Sequence, residues 1–145
     1  MNGGAAQSSV TPYLTVRGAL EAIAFYERAF GAELLTQKLT DDGKRVVHAA
    51  LEVFGTMIML SDEFPEYDAD TKSPLTFGGT TITLHVGFDH PAEVDAAIGK
   101  ASATGCTVTM PAIDAFWGMR YGRLKDPFGH VWAFGAPSAD QPKGE

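Results

Sequence analysis

The chain has 145 residues, of which 45% are hydrophobic and 20% charged, a size and composition that suit one globular domain and exclude wholesale disorder, collagen and a long coiled coil. Eleven Lys and Arg stand against eighteen Asp and Glu, leaving a net charge of −7. That sign repels phosphate backbones and anionic lipid, and no apolar run reaches the ~18 residues of a spanning helix, so neither nucleic acid nor a membrane is an expected partner.

The amino end, residues 1–9, is small and polar and reads as a flexible terminus, without the basic start and apolar core of a signal peptide. Val10 to Val16 is a short β-prone run. Leu20, Ile23, Tyr26 and Phe30 then recur at helical spacing opposite Glu21, Glu27 and Arg28, which predicts an amphipathic helix ending at Gly31. Glu33 to Leu39 and Arg45 to Val53 flank Asp41-Asp42-Gly43-Lys44, a turn signal between two strands, and Phe54-Gly55 leads into a further strand over 56–61. An acidic loop follows over 63–79, with Glu63, Glu66, Asp68 and Asp70 among Pro65, Pro74, Gly78 and Gly79.

The second half opens with a strand over 80–87. Pro91, Glu93 and Asp95 then mark a helix start, Val94, Ile98 and Ala101 form its apolar face, and Gly105 ends it. Three more strands fit residues 106–110, 118–124 and 130–134, the last two joined by the Asp126-Pro127-Phe128-Gly129 turn. Residues 136–145 read as a second flexible end. The lone Cys106 has no bridging partner, which fits a reducing, cytoplasmic setting, and it has no His/Asp partner that would make it a nucleophile. Each half therefore reads strand, helix, strand, strand, strand, the second beginning about seventy residues after the first. Such an internal repeat predicts an α+β fold: two βαβββ modules, over about 10–62 and 80–135, whose curved mixed sheets surround a concave cavity.

At this point the chain resembles the vicinal oxygen chelate superfamily of glyoxalases, bleomycin-resistance proteins and extradiol dioxygenases, over about 10–135. Three segments look like its PhnB-like branch: Thr11-Pro12-Tyr13-Leu14-Thr15-Val16, the helix run Ile23 to Ala32, and Trp117-Gly118-Met119-Arg120-Tyr121-Gly122 followed by Asp126 to Trp132. Metal-dependent members carry one ligand on the first and fourth strands of each module. Matching the motifs puts those positions at Thr11, Met59, Thr81 and Ala133, none of them a good divalent-metal ligand. The resemblance therefore implies a small-molecule-binding protein with no cofactor, and a homodimer, since members commonly pair modules about a two-fold axis and each half has a sheet edge to protect. The alternative is a metal-dependent lyase or dioxygenase with displaced ligands, His48, His85 and Asp62 or Glu63.

Alternation selects the candidate ligand-binding residues. Ile82, Leu84 and Val86 should pack under a helix, which turns Thr81, Thr83 and His85 toward the cavity. There His85 is either a hydrogen-bonding or acid/base group or a solvated strand histidine. His48 shares a polar face with Val46, Ala50 and Glu52. Met57 and Met59 either line an adaptable apolar pocket or belong to the core. Trp117, Arg120 and Tyr121 supply an aromatic wall with a cation, or Arg120 pairs with the acidic loop. His130 and Trp132 are expected on the helix side as structural residues.

Overall fold

The computed structural model describes residues 8–68 and 70–138. The expected flexible ends lie largely outside them, except that the last strand runs through Ala136 to Pro137. The elements are β1 (Tyr13–Val16), α1 (Ala19–Phe30), β2 (Glu33–Leu39), β3 (Val46–Val53), β4 (Thr56–Asp62), α2 (Pro74–Phe77), β5 (Thr83–Gly87), α3 (Pro91–Thr104), β6 (Thr107–Asp114), β7 (Met119–Lys125) and β8 (Val131–Pro137). They form two four-stranded mixed sheets, ordered β1-β4-β3-β2 and β5-β8-β7-β6, so the fold is α+β and the repeat is real. In each module the first strand pairs parallel to the fourth, and the other pairs are antiparallel.

Helix α1 buries Ala19, Ala22, Ile23, Phe25, Tyr26, Ala29 and Phe30. Leu20, expected on that face, is exposed instead, because Ala19 and Ala22 occupy the close contact. The N-terminus of α1 has no capping side chain of its own. Asp62, at the end of β4, accepts hydrogen bonds from the backbone N–H of Gly18 and Ala19 on Oδ1 and from that of Val46 on Oδ2. A carboxylate in that place satisfies two of the orphan donors at the helix start and favours the positive end of its dipole. Gly31, at φ 68°, closes the helix in the left-handed conformation.

The two halves meet in an aromatic core. Tyr26 and Phe30 of α1 pack against Trp132 of β8, with ring centroids 5.8 and 4.5 Å apart, and Phe54, Phe88, Phe128 and Phe134 complete the cluster. At its centre Asp126 is 3% exposed. It accepts the Tyr26 hydroxyl (2.6 Å) and the Trp132 indole N–H (2.9 Å) on Oδ2, and the backbone N–H of Phe128 and His130 on Oδ1. Burial, and then the Asp126 carboxylate, raise the Tyr26 phenol well above its ordinary pKa, so it stays a donor. The same turn also touches the first module and the loop that links the two modules. His130 Nε2 donates to the Thr15 carbonyl at 3.0 Å, and a Cβ on Gly129 would fall 2.7 Å from Pro74 Cβ.

Several expectations need correction. The acidic loop contains a helix, α2, set by Ser73 at its N-cap, Pro74 at its first position and Gly78 after its end. Strand β5 starts at Thr83 rather than at residue 80, leaving Thr81 outside the ladder and Ile82 exposed. Val46 and Val47 exchange the faces expected of them, because a bulge slips the β2–β3 register between Lys38 and Leu39. Val46 is buried and Val47 exposed. Strand β6 runs on past Met110 through Pro111, since on the edge of its sheet a missing N–H leaves no ladder bond unmade.

Candidate functional site

A cleft of ≈ 390 Å³ lies between the β3–β4 hairpin and β5. Phe54, Ile58, Leu84, Val86 and Trp132 give it apolar walls, and Thr83 and His85, of the opposite face, also line it where β5 forms the edge of its sheet. Two of the expected site residues therefore meet there. Leu84 and Val86 pack against the core while Thr83 and His85 are exposed, which is the alternation expected of β5.

The other expected residues fall into two clusters on the sheet faces turned away from the helices. In the first module the ladder sets Tyr13 beside Met59 and Met59 beside Ala50. His48, two residues before Ala50 on β3, shares this face, and its Nδ1 lies 3.0 Å from the Tyr13 hydroxyl. In the second module His85 is beside Ala133 and Ala133 beside Arg123. Tyr121, two residues before Arg123, stacks on His85 with centroids 6.0 Å apart and planes 16° from parallel. Gly135 allows this stack, because a Cβ there would come within 3.0 Å of the His85 ring. Trp117 meets the Tyr121 ring edge-on at 5.8 Å.

Arg120 is turned away from this cluster. It pairs with Asp95 of α3 at 2.9 Å and with Asp114 at 3.5 Å, on the helix side of β7, and not with the acidic loop. Adjacent strand residues point to opposite faces, so Arg120 and Tyr121 cannot share one. Two residues the sequence reading passed over take part: Tyr13, partner of His48, and Arg123, whose Nε donates to the Tyr121 oxygen at 2.8 Å. The period of two from Tyr121 to Arg123 was a usable signal.

Neither acid offered as a displaced metal ligand is free. Asp62 caps α1, and Glu63 accepts from the Ser73 backbone N–H at 2.8 Å and faces Arg17 at 3.9 Å. Among the described residues no three His, Cys, Asp or Glu side chains cluster as a metal site would require. Cys106 is buried, and burial followed by the charge of Asp126 pushes its thiol up to about 12. A thiol so disposed is a poor nucleophile at neutral pH.

Two βαβββ modules, each a four-stranded mixed sheet carrying one long helix, define a glyoxalase-type protein. The sequence model of the Glyoxalase/Bleomycin resistance protein/Dioxygenase superfamily matches residues 9–134, and the chain belongs to that superfamily. It is similar to the uncharacterized protein Rv0887c of Mycobacterium tuberculosis, 39% identical over 132 residues that cover 90% of this chain and 75% of that one. Among solved structures it is similar to protein PA1353 of Pseudomonas aeruginosa, with TM-score 0.70 and 26% identity over 91% of this chain and 99% of that one. The PhnB protein of Bacillus cereus shares the fold at TM-score 0.67 and 23% identity, over 91% of this chain and all of that one.

The metal of the metal-dependent relatives can be tested against the ladder. Resemblance placed its ligand positions at Thr11, Met59, Thr81 and Ala133, but the register sets Tyr13 beside Met59 and His85 beside Ala133. Even so corrected, the four positions hold one imidazole, one phenol, one thioether and one methyl group. That set does not fit a divalent cation, which takes several nitrogen, thiolate or carboxylate ligands.

Proposed function

We propose that this protein is a PhnB-like member of its superfamily that binds a small molecule in the cleft beside β5, without a metal at the family's ligand positions. The cleft's composition carries the reading: apolar and aromatic walls with a few convergent polar groups, at a volume in the range of ligand sites. His85 is the polar group that orients the ligand. The protein acts as a homodimer in the cytoplasm, with nucleic acid and membrane playing no part. The exposed Tyr13 and Met57 on the outer face of the first module, and the exposed Trp117 beside that of the second, support dimerisation, since exposed apolar side chains favour association.

Thermal-shift screening of a fragment library of neutral and charged aromatics, with light scattering on the same samples, tests this. Fragments that stabilise the wild type and lose that effect in His85→Ala, on a particle of twice the chain mass, are the expected result. No stabilising fragment, or equal stabilisation of the variant, overturns the cleft reading, and a concentration-independent monomer mass overturns the dimer.

A further inference from the structure

We propose that Arg123 forms an oxyanion subsite next to the cleft, and that the ligand is an organic acid whose carboxylate or phosphoryl group lies on this guanidinium while its apolar part lies against His85 and the aromatic wall. The inference rests on the cleft reading and adds the ligand's chemical class to it.

Four observations carry it. Arg17, Arg45 and Arg120 each lie within 4 Å of a carboxylate, whereas among the described residues no carboxylate lies that close to Arg28, which is exposed on α1, or to Arg123. Arg123 is half-buried on the outer face of β7, in a chain of net charge −7 where acidic partners are plentiful. Its Nε is held by the Tyr121 oxygen at 2.8 Å and its guanidinium sits 5.7 Å from that ring's centroid. The side chain is thereby oriented, and the hydrogen bond to Tyr121 leaves the two terminal nitrogens, four N–H donors in a planar fork, for another acceptor. Finally, the outer sheet face links Arg123 to the cleft: Tyr121 stacks on His85, which lines the cleft, and Arg123 and His85 flank Ala133, whose methyl group is covered, on the ladder.

The chemistry follows from these placements. A planar fork matches two oxygens of a carboxylate or phosphoryl group, and a charge-assisted pair in a half-buried place is stronger than one in open solvent. Trp117, edge-on to Tyr121, extends an apolar wall for the rest of the ligand. A neutral ligand would leave the guanidinium without a counter-charge.

Titrating the full-length ¹⁵N-labelled protein with benzoate, phenylphosphonate and neutral benzamide at constant ionic strength tests this. The Arg123 Nε–H and Trp117 indole signals report binding, and the backbone N–H of Gly31, bonded to the Glu27 carbonyl at the end of α1, is the internal control. Expected is saturable movement of the first two signals by at least one acid, with at least a tenfold lower Kd than for benzamide. That preference should vanish in Arg123→Gln and survive weakened in Arg123→Lys, both with unfolding midpoints near wild type. The more tightly bound acid tells carboxylate from phosphoryl. Equal binding of both acids and benzamide, or an acid preference kept in Arg123→Gln, overturns the subsite and leaves the cleft standing. Loss of the dimer in Arg123→Gln also overturns it, by assigning the guanidinium to a second copy. No binding of any of the three overturns it too, and the fragment screen then tells whether the cleft fails with it.

Discussion

Matched through their ladders, the two modules place a tyrosine and a histidine at exchanged positions. Tyr13 corresponds to His85, Met59 to Ala133, Ala50 to Arg123 and His48 to Tyr121. Each outer face thus carries one tyrosine against one histidine, hydrogen-bonded in the first module and stacked in the second. The rest differs. The first module sets a thioether beside a methyl group, and the second a methyl group beside a guanidinium. At these four positions the first module carries no charge and the second a guanidinium, although Lys38 and Glu52 also stand on the first module's outer face. The supports differ as well: Asp62 works inside its own module, tying β4 to the start of α1 and to β3, while Asp126 joins both.

The largest effect should come from those two carboxylates. Asp126→Ala leaves a phenol, an indole and two backbone N–H groups without their acceptor in the core, and should cost about 3–5 kcal/mol in urea unfolding. Asp62→Ala loses a helix cap and one strand acceptor and should cost about 2–3 kcal/mol. The reverse order would show that the modules are held together by aromatic packing rather than by the shared carboxylate.

A smaller contrast lies within β5. Leu84 is half-buried, so Leu84→Ala should cost about 1–2 kcal/mol, below the ~2–5 kcal/mol of a fully buried leucine. His85→Ala should stay within about 1 kcal/mol while abolishing fragment binding. Urea unfolding that made His85→Ala the more damaging change would reverse the strand's facing and move the site.

The smallest contrast is one sulfur. Ala32 follows the Gly31 stop of α1, and Cys106 follows the Gly105 stop of α3. The Cys106 thiol is raised to about 12, against ~8.5 in an unfolded chain. Native Cys106 should therefore react with iodoacetamide at pH 8 at least about 100-fold more slowly than after unfolding. Because the folded pKa is the higher, this group's contribution is full below pH ~8.5 and is lost as pH rises toward 12. Cys106→Ala should flatten that alkaline decline, and an unchanged decline would place its origin elsewhere, with Tyr26, whose phenol is also raised, the next candidate.

The repeat, the two long helices and their glycine stops were legible because apolar periodicity and left-handed termini leave a mark in one dimension. The facing of β5 was legible for the same reason. The Trp117 to Tyr121 motif hid its geometry, since Arg120 and Tyr121 are neighbours in the chain and point to opposite faces of a strand. Tyr13 and Arg123 were missed because their significance depends on cross-strand partners, His48 for one and Tyr121 for the other. Asp126 was visible only as part of a turn, and nothing local marks a carboxylate as the acceptor for a phenol one hundred residues away.

That turn also bears on how the protein comes apart. A chain built as two similar halves could unfold one half at a time, as neighbouring repeats do. Here Asp126 and His130 bind Tyr26 and Thr15 of the first half, and Gly129 packs against Pro74 of the linking loop, so neither half can open without stripping partners from the other. The duplicated architecture is in this sense a single cooperative unit. A break in the chain between the halves would be tolerated only while both pieces remained docked around that turn.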